Sequence, residues 1–286
     1  MNDDIRQEAI ALYDRFTHEG MERRAFIRRM AAIAGSVTAA EALIASIAAD
    51  PAAAAIVPAD DKRLTTRTQA LVGGYSAYVA EPRTRWLKAT VMIIHENRGL
   101  NEHTRDVARR VGLAGFRAVA VDFLSPAGGT PADEDQARDM IGKLDLAKST
   151  ADAVAMLDEL AKSSKGGKVG AVGFCWGGGF VNRLAVAAGD RLDAGVVYYG
   201  PAPDPSEAAK VEVPLLIHHA GTDERVARTL FPWVNALRAA DKPVTYQGYD
   251  GVDHAFNNDT SAERYNKEAA DLAWQRTLRF FRRHLG

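Results

Sequence analysis

The sequence predicts a doubly wound, mostly parallel α/β sheet with an extra N-terminal helical segment. From Leu64 onward, short apolar runs alternate with amphipathic stretches, the pattern of strand–helix crossovers. Several runs, such as Val91-Met92-Ile93-Ile94, are apolar at every position, as strands covered by helices on both faces require. The chain has 286 residues, 47% hydrophobic and 26% charged, enough for one large core or two small ones. A net charge of -1 argues against nucleic acid or an anionic membrane as main partner, since each needs a basic surplus. No strongly apolar run is long enough for a membrane-spanning helix. The single cysteine cannot form an internal disulfide.

Residues 1–61 are Ala-rich and read as helix. Asp3 to Thr17 places Ile5, Ala9, Leu12, Tyr13 and Phe16 at helical spacing, with Asp3 and Asp4 suiting a helix N-terminus. A second helix is expected from Met21 to Ala49, stopped by Asp50-Pro51. Two readings of it stand side by side. Glu22-Arg23-Arg24-Ala25-Phe26-Ile27-Arg28-Arg29 and the mild Ala/Ile stretch after it resemble a twin-arginine export signal, with Ser46-Ile47-Ala48 as a small-residue cleavage site. Alternatively, Met30, Ile33, Val37, Ala40, Ile44 and Ile47 form the stripe of a helix packed on the body. The first reading implies a periplasmic protein and the second a cytoplasmic one. An uncleaved segment would cover the domain surface or form a homodimer contact.

Residues 62–286 read as one domain. Its expected strands are Leu71–Val79, Ala89–His95, Ala118–Asp122, Lys168–Val172, Ala194–Tyr199, Pro214–His219 and Val244–Tyr249. Its expected helices are Glu102–Ala114, Asp133–Gly142, Asp145–Ala161, Gly178–Ala188, Arg225–Ala239 and Ala262–His284. Ligands of such sheets bind beyond the carboxyl ends of the strands.

The strongest local signal is Val169-Gly170-Ala171-Val172-Gly173-Phe174-Cys175-Trp176-Gly177-Gly178-Gly179. A strand runs into glycines and then a helix, with the lone cysteine at the turn: a G-x-S-x-G nucleophile elbow carrying Cys for Ser. The helix aims its N-terminal N–H groups at the sulfur and favours thiolate. The alternative is a buried structural Cys in a glycine-rich turn. Partners follow in the chain order of an α/β-hydrolase triad. Asp223 closes a strand and Gly turn, where an orienting acid belongs, or serves only to cap the next helix. His254, alone of the seven histidines, stands in a loop after the last strand and before the last helix, where the general base belongs. Asp253 competes for the acid role. Of His218 and His219, alternating on a strand, one is expected to face the core and the other the site.

Gly173-Phe174-Cys175-Trp176-Gly177-Gly178, Gly221-Thr222-Asp223, Asp253-His254-Ala255-Phe256 and His95-Glu96 together resemble the dienelactone hydrolases (carboxymethylenebutenolidases), over about Leu64 to His284. The resemblance implies an α/β-hydrolase fold and a Cys175-His254-Asp223 triad. It implies that Glu96 approaches and helps activate the thiol, and that the N–H groups of Asn97 and Trp176 bind the developing oxyanion. Family members acting on dienelactone hold its carboxylate with two arginines. Asp122-Phe123-Leu124-Ser125-Pro126-Ala127 and His254-Ala255-Phe256-Asn257-Asn258 supply neither. Arg98 either replaces them or faces solvent, and Arg98, Phe256 and Asn258 are the candidate substrate contacts.

The expectation is a cysteine-dependent hydrolase of small esters or lactones. Its rivals are a same-fold hydrolase of thioesters, phosphotriesters or peptides, and a non-catalytic binding protein. No cofactor is implied, because Gly177-Gly178-Gly179 follows a nucleophile and forms no G-x-G-x-x-G turn. No metal is implied, for want of HExxH, paired Cys or clustered His/Asp spacing.

Overall fold

In the computed structural model, which describes residues 3–48, 55–84, 89–164 and 167–286, the body is an eight-stranded sheet with helices on both faces. The strands are β1 (Leu64–Leu71), β2 (Tyr75–Pro82), β3 (Thr90–Ile94), β4 (Arg117–Asp122), β5 (Val169–Phe174), β6 (Ala194–Tyr198), β7 (Leu215–Ala220) and β8 (Val244–Tyr249). Their order is β1-β2-β4-β3-β5-β6-β7-β8, antiparallel at β1–β2 and β2–β4 and parallel elsewhere. β3, β4, β5, β6 and β7 are buried throughout, because helices cover them on each side. The helices α4 (Glu102–Leu113), α5 (Glu134–Ile141), α6 (Leu146–Ser163), α7 (Trp176–Ala187), α8 (Glu224–Ala239) and α9 (Lys267–Leu285) supply that cover. Chain connections diverge to either side of the β3–β5 pair, and the crevice beyond their carboxyl ends is where such sheets place ligands.

The front edge differs from the expectation. The strand expected at Leu71–Val79 straddles a hairpin turn, in which Gly73 and Gly74 adopt φ of +78°. β1 before it went unread because Leu64-Thr-Thr-Arg-Thr-Gln-Ala-Leu71 is an edge strand, polar along its length. The last helix also begins later than expected, at Lys267, where the Asn266 side chain caps it by accepting from the Ala269 N–H.

The extension comprises α1 (Asp3–His18), α2 (Arg23–Ala34) and α3 (Val37–Ile47). The single helix expected from Met21 to Ala49 is two. Gly35 takes a left-handed conformation that ends α2, and the Ser36 hydroxyl accepts from the Ala39 N–H to start α3, 103° away in direction. The bend re-registers the apolar stripe, leaving Val37 56% exposed while Leu43 turns inward. The expected Asp50-Pro51 stop lies outside the described residues. No single helix among the described residues is long and apolar enough to cross a membrane. Ala9, Leu12, Tyr13, Phe16, Phe26, Met30, Ala40, Leu43 and Ile47 form a core of their own, with the Phe16 and Phe26 rings stacked at 4.1 Å.

That small core is seated on the body by polar contacts. The Ser261 hydroxyl donates to the Ile47 carbonyl at 2.6 Å, the Glu263 N–H to the Ser46 carbonyl at 3.2 Å, and Arg6 pairs with Glu263 at 2.8 Å. Phe26→Ala should therefore cost about 3–5 kcal/mol of the extension's stability. Hydrogen exchange checks this: α1–α3 amides should lose protection while β3–β7 keep theirs, and uniform loss across the chain would contradict it.

Candidate active site

β5 delivers Cys175. Its backbone sits at φ 54° and ψ -112°, strained for a residue with a side chain. Two glycines make the turn possible. A Cβ on Gly173 would stand 2.0 Å from the Gly177 carbonyl oxygen, and one on Gly177 would stand 2.3 Å from the Ile94 carbonyl oxygen of β3. The turn is pinned by the Cys175 N–H, which donates to the Tyr198 carbonyl at 3.0 Å. Tyr199 (φ 39°) and Ala255 (φ 66°) are also forced into positive φ, so strained residues cluster where β5, β6 and the His254 loop converge.

Asp223 follows β7 and caps α8, accepting from the Val226 N–H at 3.0 Å. Its other oxygen meets His254 Nδ1 at 2.5 Å, so capping and ion pairing use the two halves of one carboxylate. Burial disfavours both charges, yet each favours the other: Asp223 is held down at about 2, while Asp223 and Cys175 push His254 up to about 10. Asp253 points the other way, accepting from the Thr222 hydroxyl at 2.8 Å and from the Gln7 amide at 3.3 Å. Among the described residues His254 Nε2 is buried without a hydrogen-bond partner, and it shares with Cys175 Sγ and His18 Nε2 a cluster whose atoms all lie within 4.8 Å of one another. Among the described residues these three donors are spaced closely enough to hold a metal ion.

Glu96, just beyond β3, accepts from the Tyr199 hydroxyl at 3.2 Å and from the Asn258 amide at 3.0 Å, which fixes both carboxylate oxygens. Asn258 is thus a holder of Glu96. Phe256 is fully buried among Tyr198, Tyr199 and Tyr249 and does not line the cavities around the cysteine. Arg98 does not face solvent: it pairs with Asp135 at 3.1 Å and donates to the Tyr13 hydroxyl at 3.1 Å. Asn97 lines the cavity with its amide on the Thr17 carbonyl at 3.3 Å, and Trp176 opens α7, where backbone N–H groups lack helical partners.

His95 braces this loop. Its Nε2 accepts from the Phe123 N–H at 3.2 Å, which leaves the hydrogen on Nδ1 to donate to the Glu96 carbonyl at 2.6 Å. Burial holds it neutral, and its ring stacks on Trp176 at 5.4 Å. His218 faces the core, between Thr277 and Tyr249, whereas His219 reaches the Asp223 carbonyl.

Beside the thiol lies a cavity of about 600 Å³ lined by Cys175, Trp176, Asn97, Arg138 and Arg225, with Phe16, Thr17 and His18 from α1 as its opposite wall. Sequence reasoning missed His18, Tyr199 and Arg225. Position at a strand end could have flagged Tyr199, and position after the acid Arg225, but no local pattern marks His18.

The family model of the dienelactone hydrolase family matches residues 75–285, and the chain belongs to that family. A protein of Saccharolobus solfataricus named "Putative carboxymethylenebutenolidase" is 31% identical over 72% of this chain and 93% of its own length. A crystal structure titled as a putative dienelactone hydrolase from Klebsiella pneumoniae superposes with a TM-score of 0.69 at 26% identity, covering 77% of this chain and 98% of the other. A structure titled as the dienelactone hydrolase-like promiscuous phosphotriesterase P91 shares the fold, at 22% identity and a TM-score of 0.67, over 78% of this chain and all of its own.

The carboxylate's effect on His254 is directly measurable. In Asp223→Asn the imidazole should titrate well below the value of about 10 that it has beside the carboxylate, read by NMR of its ring protons. The sign follows from loss of the charge that favours imidazolium. A His254 titration unmoved by the substitution would show that Asp223 does not set it.

Proposed function

We propose that the chain is a cysteine-dependent hydrolase of small esters or lactones, with Cys175 as nucleophile, His254 as base and then acid, and Asp223 as its orienting carboxylate. The observation that carries this reading is the buried His254: Nδ1 engaged by Asp223 and Nε2 unpartnered beside the thiol of a strained elbow. Membership of the dienelactone hydrolase family supports the same chemistry.

In this reading His254 holds the thiol proton as imidazolium, and the thiolate attacks the ester carbonyl carbon. Negative charge gathers on the carbonyl oxygen, where the Asn97 and Trp176 N–H groups would meet it. The carbon–oxygen bond to the leaving group then breaks, and His254 gives its proton to the departing alkoxide. In a lactone that group stays attached to the acyl chain. Water, deprotonated by His254, cleaves the thioester, and the sulfur leaves as thiolate. Glu96 is tied to Tyr199 and Asn258, which supports a role in shaping the pocket beside the sulfur.

The two arginines expected for a dienelactone carboxylate have no counterparts in the loops after β4 and His254, and Arg98 is engaged by Asp135. Arg138 and Arg225 do line the cavity, but Arg138 is paired with Asp135 at 3.0 Å and Arg225 leans on Asp223 at 3.8 Å, so neutral esters and lactones are the expected substrates. Cys175→Ala should reduce p-nitrophenyl acetate turnover at least about 10³-fold, and His254→Ala comparably at pH 7. Equal turnover by wild type and Cys175→Ala would contradict the assignment. A panel of lactones with and without a free carboxylate should show kcat/KM within about tenfold for matched pairs, against a strong carboxylate preference if another cation holds that group.

A further inference from the structure

We propose that His18, in the last turn of α1, is a catalytic residue of this chain: its imidazole donates a hydrogen bond to the Cys175 thiolate. Its Nε2 lies 3.9 Å from Sγ, and its ring meets the His254 ring edge-on at 5.0 Å between centroids. The sulfur therefore has an imidazole on two sides, one from the body and one from the extension.

The position of His18 is fixed by contacts to the loops that carry the reacting groups. The Asn97 amide grips the Thr17 carbonyl, Arg98 holds the Tyr13 hydroxyl, and Gln7 reaches Asp253, the residue before His254. Phe16 lies under the Arg138 guanidinium at 4.6 Å. These contacts bind α1 to the oxyanion loop, to the His254 loop and to α5 at once, so the imidazole is presented to the sulfur by a braced helix end.

The charge around it selects its form. His254, Arg225, Arg264 and Arg98 all act on His18, and burial followed by the His254 charge pushes its imidazole well below the usual histidine range. Asp14, one turn earlier in α1, is half-buried and paired with Arg264 at 3.6 Å, and the loss of water around it raises its carboxyl above the usual range. Glu96 and Tyr199 face the sulfur from the other side, already bonded to each other. An imidazole carries a ring hydrogen in its neutral and its charged form alike, so His18 can donate to the sulfur. Facing a thiolate, the ring keeps that hydrogen on Nε2, because the lone pair of the other tautomer would oppose the negative sulfur. A hydrogen on Nε2 stabilises the thiolate beside it.

The inference rests on Cys175 as the reactive group but not on an ester substrate. Cys175 is the chain's single cysteine, so alkylation of the full-length protein by iodoacetamide, followed by intact mass, reads this sulfur alone. His18→Phe keeps a ring of similar shape and removes the donor. It should slow alkylation about tenfold at pH 6, the effect of one charge-assisted hydrogen bond. His18→Gln, which restores an N–H donor, should recover at least a third of the loss. His18→Ala should behave as His18→Phe and covers the case in which the larger ring perturbs the helix. Equal rates for wild type and either donor-free variant at pH 6, or a Gln variant as slow as Phe, would overturn the proposal. Absence of ester turnover in the wild type with this alkylation pattern intact would instead overturn the proposed function.

Discussion

Gly173 and Gly177 meet with almost no space between their backbones, and Gly177 rests against the carbonyl of Ile94 at the end of β3. That contact between β5, α7 and β3 is the constraint on which the site depends. It drives Cys175 into positive φ and lifts the sulfur clear of the sheet, at the mouth of the crevice between diverging connections. It also sets the first turn of α7, with its unpaired N–H groups, directly after the cysteine. Any side chain at either glycine would force these three elements apart.

Around that fixed point the charges are arranged by sharing. One Asp223 carboxylate both caps α8 and holds His254, which ties the orientation of the imidazole to the start of a helix packed in the core. The strong mutual stabilisation of Asp223 and His254 survives burial because neither charge is left unpaired. Glu96, by contrast, is spread over Tyr199 and Asn258 and so is held apart as a rigid wall.

Much of this was legible in the chain. Apolar runs on both faces marked β3 and β5, glycines around one cysteine marked the elbow, and the order Cys175, Asp223, His254 marked the groups that the fold brings together. β1 was illegible because an edge strand needs no apolar face, and the α2–α3 break because Gly35 and Ser36 sit inside an otherwise helical pattern. His18 was illegible for a deeper reason. Its placement follows from the docking of α1 on loops up to 257 residues distant, through pairs such as Gln7–Asp253 and Arg6–Glu263, and no local spacing encodes that. The burial of Arg98 has the same origin, since Tyr13 and Asp135 come from separate elements.

The central claim is that the sulfur of Cys175 carries the acyl group between the two halves of the reaction. Rapid acid quenching during turnover of a p-nitrophenyl ester, followed by peptide mass mapping, tests it most directly. The account predicts one acyl group per chain on the peptide containing Cys175, released by hydroxylamine at neutral pH as a thioester is. An acyl group found on a serine or histidine peptide, or full turnover with no acylated chain at any quench time, would contradict it.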